Sequence, residues 1–136
     1  MYTATAHATG DGRNGHVHSD DGFLDLDVRI PTEMGGSGGA TNPEELFAAG
    51  YAACFHSALK LVAARQKLDV SDTEVSASVG IGPLDDGGFG LTASLVVYAP
   101  KLDKATALDL TAAAHKVCPY SNATRGNIEV SLSVVE

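Results

Sequence analysis

A chain of 136 residues with 44% hydrophobic content is long enough to bury a core, which excludes a disordered chain and leaves room for one domain spanning residues 1–136. Its net charge of −8 and pI near 4.9 are the reverse of a phosphate-gripping footprint, so no nucleic-acid partner is expected. The start, MYTATAHATGDGRNG, shows no basic stretch followed by an apolar one, and the longest apolar run is broken by Gly50, His56 and Lys60. Neither a signal peptide nor a membrane span is expected, and a cytoplasmic location follows.

Taken in chain order, Tyr2 to Thr9 reads as a first strand, GDGRNG (10–15) as a turn and His16 to Ser19 as a short return strand. FLDLDVRI (23–30) alternates, with Leu24, Leu26, Val28 and Ile30 on one face and Asp25, Asp27 and Arg29 on the other, the pattern of a half-buried strand. MGGSGGA (34–40) is a loop. It lacks the Gly-Lys-Ser/Thr and the GxGxxG spacing of a phosphate cradle. A long helix is predicted from Pro43 to Gln66, capped by Asn42, with Pro43 at its first position and Glu44 and Glu45 at the positive end of the dipole. Its middle is apolar all round, as in a buried central helix, and Ala49, Ala53 and Ser57 form a stripe of small residues. Residues 74–82 and 89–100 alternate again and form a hairpin. A second helix covers 104–117, capped by Asp103 and stopped at Cys118 by Pro119, with a short helical turn at PYSNAT. A last strand spans 128–135. The order βββ-α-ββ-α-β gives the α+β class, with sheet covering a central helix.

The chemistry centres on Cys54, inside AAGYAACFHSAL, and Cys118, in HKVCPYS. In a reducing cytosol two cysteines are seldom a structural bridge. They are free core residues, metal ligands or redox groups. Cys54-x-His56 and His115-x-x-Cys118 supply metal-ligand types, but residues two apart on a helix point about 200° apart, so no metal site is expected from them. His16-x-His18 shares a strand face and suits only weak binding. His115 and Cys118 have the spacing of a base and nucleophile for hydrolysis, without a recognisable oxyanion arrangement. For thiol redox chemistry a thiolate is required. Desolvation inside an apolar helix raises the pKa of Cys54, whereas Pro119 opens a helix whose start favours an anion near Cys118. Local chemistry alone therefore selects Cys118 as nucleophile and leaves Cys54 as a small buried hydrophobe.

Two longer motifs change that choice. NPEELFAAGYAACF and VCPYSNATRGNI, with the Arg13 turn and GGSGGATNPEE, strongly resemble the organic hydroperoxide resistance (Ohr) proteins of the OsmC superfamily, over essentially the whole chain. The resemblance implies an OsmC-like fold, a central helix wrapped by sheets in an intertwined homodimer, with active sites at the subunit interface. It further implies that Cys54 is the peroxidatic cysteine, Cys118 the resolving cysteine, Arg13 the holder of the thiolate and Glu44 the carboxylate that orients Arg13. The implied activity is a thiol peroxidase that reduces organic hydroperoxides to alcohols through a Cys54 sulfenic acid and a Cys54–Cys118 disulfide. A dithiol of lipoyl type, carried by a lipoylated protein, restores the thiols. No cofactor, metal, haem or flavin is needed. Met34, Phe47, Tyr51 and Phe55 are candidates for an apolar substrate pocket, or else ordinary core.

Glu44 and Cys54 are ten residues apart, about 15 Å along a straight helix and on different faces. For both to serve one arginine, either the helix breaks near Gly50 or Glu44 reaches the partner's site. Antiparallel packing of two copies along Ala49, Ala53 and Ser57 favours the second. Two rivals remain: a non-catalytic small-molecule binding protein with structural cysteines, and a cysteine hydrolase using His115.

Overall fold

The Pro43–Gln66 helix (α1) begins where its cap dictates: Asn42 Oδ1 accepts the Glu45 amide at 2.9 Å, satisfying one of the first-turn N–H groups that have no helical partner. The helix continues unbroken through Gly50. This and all other elements come from a computed structural model that describes residues 1–135. By contacts the chain forms two compact units, residues 1–46 and residues 47 onward, and α1 starts in the first and runs through the second.

The first unit holds three antiparallel strands in the order β1-β2-β3: Ala6–Thr9, His16–Ser19 and Asp25–Asp27. Register places Ala8, Val17 and Leu26 in one row and His7, His18 and Asp25 in the next, so the two faces alternate apolar and polar as a strand's period of two requires. β1 is shorter than the predicted 2–9. β3 is shorter than 23–30: it ends at Asp27, and Val28 forms a lone parallel bridge with Thr41.

The second unit is built on a three-stranded sheet, β4 (Glu74–Pro83), β5 (Phe89–Tyr98) and β6 (Val130–Val135). β4 and β5 form the predicted hairpin, while β6 runs parallel to β5. A parallel neighbour needs a crossover, and α2 (Lys104–Val117) with α3 (Pro119–Thr124) provides it. Asp103 caps α2 by accepting the Thr106 amide at 2.8 Å. α2 ends where the pre-proline residue Cys118 turns extended (φ −60°, ψ 123°).

One face of α1 supplies Tyr51, Phe55, Leu59, Val62 and Ala63 to the core, against Leu95 and Val97 of β5 and Leu110 and Ala114 of α2. The opposite stripe, Ala49, Ala53, Ser57 and Leu61, is exposed. By length and composition α1 is long and apolar enough to cross a membrane, more than its interrupted apolar run suggests. Only a third of its most apolar stretch is buried.

Candidate active site

Two pairs of the anticipated residues are brought together, one in each unit. In the first unit Arg13 lies on a single 3-10 turn, Gly12–Asn14, between β1 and β2. The turn is tightly specified. Gly12 adopts φ +57°, where a side chain is strained, and a Cβ on Gly15 would collide with the Thr9 carbonyl. Asn14 Oδ1 accepts the Ile30 amide at 3.2 Å, and the Gly15 carbonyl accepts from Val28 N–H at 3.0 Å and from the Arg29 guanidinium at 2.9 Å.

From this turn Arg13 forms a bidentate pair with Glu44, with both N–H···O distances 2.8 Å. The bond to Arg13 holds the Glu44 carboxyl below the usual range, and Glu44 in turn raises the guanidinium. Glu44 is therefore a carboxylate at any neutral pH. A guanidinium has five N–H donors. Two are fixed by Glu44, and the remainder have no partner among the described residues. The turn thus presents a positioned cation with donors to spare.

In the second unit Cys54, midway along α1, faces Cys118, the residue between α2 and α3. Both thiols are free, with Cys118 Sγ–H donating to Cys54 Sγ at 3.4 Å. Cys118 is fully buried and Cys54 half-buried. Burial pushes the Cys54 thiol up, the backbone N–H of Tyr120 opposes that rise, and the Cys118 thiol adds to it. The start of α3, expected to favour an anion at Cys118, thus has its Tyr120 amide directed at Cys54.

An open apolar depression of about 460 Å³ lies beside Cys54, lined by Ser57, Ala58, Leu61, Val117 and Pro119. The anticipated pocket residues lie elsewhere. Tyr51 and Phe55 are fully buried core, Phe47 packs against the rings of Tyr51 and Tyr120, and Met34 is half-exposed in the first unit. The face of α1 that carries Tyr51 and Phe55 is the one that packs into the core with β5 and α2. Ser57, Ala58 and Leu61 lie three, four and seven residues beyond Cys54, so helical spacing puts them on its own face.

The remaining histidines have other roles. His56 pairs with Thr73 Oγ1 at 2.9 Å. His16 is held between Asp27 (2.8 Å) and Asp25. Cys118 bonds to Cys54, while the His115 carbonyl accepts from Arg125 and His115 Nδ1 is buried with no partner among the described residues. No cluster of three or more His, Cys, Asp or Glu with metal-binding geometry occurs among the described residues.

The same fold and closely similar sequences occur in known proteins. The family described as OsmC-like protein matches residues 36–133. The organic hydroperoxide resistance protein of Xanthomonas axonopodis pv. citri is 53% identical over 136 residues, covering 98% of this chain and 94% of that one. The crystal structure of an organic hydroperoxide resistance protein from Legionella pneumophila is similar with a TM-score of 0.95 and 51% identity, over 100% of this chain and 98% of that one. That of OhrB from Bacillus subtilis gives 0.89 and 47%, over 98% of each.

Proposed function

We propose, for a chain that belongs to the organic hydroperoxide resistance proteins of the OsmC-like family, that it is a cysteine-based peroxidase with Cys54 as its reacting atom. The observation that carries this reading is the pair of free thiols 3.4 Å apart, one on a helix face open to an apolar depression and the other sealed behind it. The Cys54 thiolate attacks the distal oxygen of an organic hydroperoxide. The O–O bond breaks, the alkoxide takes a proton and leaves as an alcohol, and Cys54 becomes a sulfenic acid. The Cys118 thiol then displaces that oxygen as water, forming the Cys54–Cys118 disulfide. A dithiol reductant opens it by exchange.

Cys54 needs a cation, because burial alone disfavours its thiolate. We assign that role to Arg13, oriented by Glu44. The break at Gly50 that a site within one chain would require is absent from α1, which supports a homodimer in which the Arg13–Glu44 pair serves the partner's Cys54. The exposed stripe Ala49, Ala53, Ser57 and Leu61 supports the same assembly. The depression lined by Leu61, Val117 and Pro119 suits an alkyl group, hence organic hydroperoxides over hydrogen peroxide. The cycle needs a reducing compartment, so we place it in the cytoplasm with a lipoyl-bearing protein as electron donor.

The test is consumption of cumene hydroperoxide and hydrogen peroxide with a dithiol, beside Cys54→Ser. Fast loss of the organic peroxide, abolished by the substitution, is expected. No loss above background would leave a binding protein with structural cysteines.

A further inference from the structure

Tyr51 lies one turn before Cys54 on α1, and Ser121 lies three residues after Cys118 on α3. Both are fully buried. The Tyr51 hydroxyl sits 2.8 Å from Ser121 Oγ and 3.2 Å from Thr124 Oγ1. Thr124 spends its own proton on the Ser121 carbonyl at 3.2 Å. One arrangement then places every proton: Ser121 O–H donates to the Tyr51 oxygen, Tyr51 O–H donates to Thr124, and Thr124 O–H donates to the carbonyl. The chain closes with each of these three hydroxyls paired, among buried side chains, where breaking one link strands the others. The rings of Phe47 and Tyr120 stand 6.1 and 5.9 Å from that of Tyr51. Gly50 gives the Tyr120 ring its seat, since a Cβ there would lie 3.3 Å from Tyr120 Cε2.

This network ties the helix that carries Cys54 to the helix that begins at Cys118. None of its hydroxyls faces the apolar depression. A disulfide requires sulfurs about 2.05 Å apart in a narrow geometry. The two sulfurs stand at 3.4 Å, so only a small closure remains. We infer that Tyr51, Ser121 and Thr124 form a positioning clamp for the resolving step, holding Cys118 against Cys54 and so deciding the fate of the sulfenic acid. The inference rests on the peroxidase reading. With the clamp intact, Cys54–SOH and Cys118–SH lose water and join. With the clamp broken, a second hydroperoxide oxidises Cys54–SOH to the sulfinic acid, itself reduced to the alcohol, and the cysteine is lost to the cycle.

The experiment uses Ser121→Ala, which removes one link and almost no volume, with Tyr51→Phe as second variant should the first not fold. Excess cumene hydroperoxide is added, and mass spectrometry reads the ratio of Cys54 sulfinic acid to Cys54–Cys118 disulfide, which separates the resolving step from the first oxidation. The ratio is expected to rise roughly tenfold, the factor one buried hydrogen bond carries. Equilibration with a dithiothreitol redox buffer, which needs no peroxide, reads the same clamp as a fall of similar size in the stability of the disulfide. A variant that folds as the parent does, with both quantities unchanged, overturns the inference. A parent that forms no disulfide with peroxide overturns the peroxidase reading instead, and the redox-buffer equilibrium still tests the clamp.

Discussion

The Cys54 thiol illustrates how one residue's chemistry depends on what lies beside it. Desolvation raises its pKa, and the proposed approach of the partner's Arg13 would reverse the sign. Alkylation of Cys54 across pH should therefore give a midpoint below the ordinary thiol value of about 8.5 in the parent, and above it in Arg13→Ala. The same variant should slow organic peroxide reduction by about 10²–10³, the usual cost of removing a preorganised electrostatic partner, while its melting temperature changes little. Near-normal turnover would show that the thiolate has another partner. His56 gives a pH test of stability. Burial, then the charge of Lys60, holds its pKa below the ordinary histidine value. Its contribution is present above about pH 6.5 and lost as pH falls through the folded-state value, so melting should drop toward acid and His56→Gln should flatten that drop. His16, raised by Asp27 and Asp25, has the opposite sign: what it adds is present below about pH 6.5 and fades as pH rises through its folded-state value. At this scale motif and local chemistry point in different directions: the motifs bring Cys54 and Cys118, and Arg13 and Glu44, into view as pairs, and the structure places each pair in contact. The residue types around Cys54 argued for an inert core thiol. Nothing in the sequence announced that the Tyr120 amide would be directed at it, or that Tyr51 would turn its hydroxyl toward Ser121 and Thr124.

Helix ends were the most readable elements, because capping is a local contract between a side chain and an amide. Asn42, Asp103 and Pro119 set the boundaries of α1 and α2 where they were expected. Asn42→Ala should therefore cost about 1 kcal/mol in a denaturant titration. Gly50→Ala is a contrasting case. Alanine in mid-helix ordinarily stabilises by about 1 kcal/mol over glycine. Here the added methyl meets the Tyr120 ring at 3.3 Å, so the gain should vanish or reverse, and a clear stabilisation would mean the ring is not seated on α1. Strands were less legible. Alternation in FLDLDVRI gives faces but not partners: the strand ends at Asp27, and Val28 takes a second partner in Thr41, far along the chain. The parallel β5–β6 pairing likewise rests on the crossover through α2 and α3, a long-range matter that no short window encodes.

At the scale of the whole molecule, α1 carries more apolar surface than its own chain covers, with Ala49, Ala53, Ser57 and Leu61 exposed. Pairing of two copies along that stripe predicts a melting temperature that rises with protein concentration. It also predicts complementation. A mixed dimer of one Arg13→Ala chain and one Cys54→Ser chain contains one site where an intact Cys54 meets the partner's intact Arg13. About half the parental activity is expected from such dimers, one site of two. Inactivity would place Arg13 and Cys54 of the same chain in one site. All of this stands on the working role of Cys54, and the most direct measurement is a thiol count after one equivalent of cumene hydroperoxide, without reductant, in parent and Cys54→Ser. The expected result is that the parent loses both thiols to an internal Cys54–Cys118 disulfide as the peroxide becomes cumyl alcohol, while Cys54→Ser keeps its Cys118 thiol and leaves the peroxide intact. Retention of both thiols in the parent, with the peroxide unconsumed, would contradict it and return Cys54 to the core.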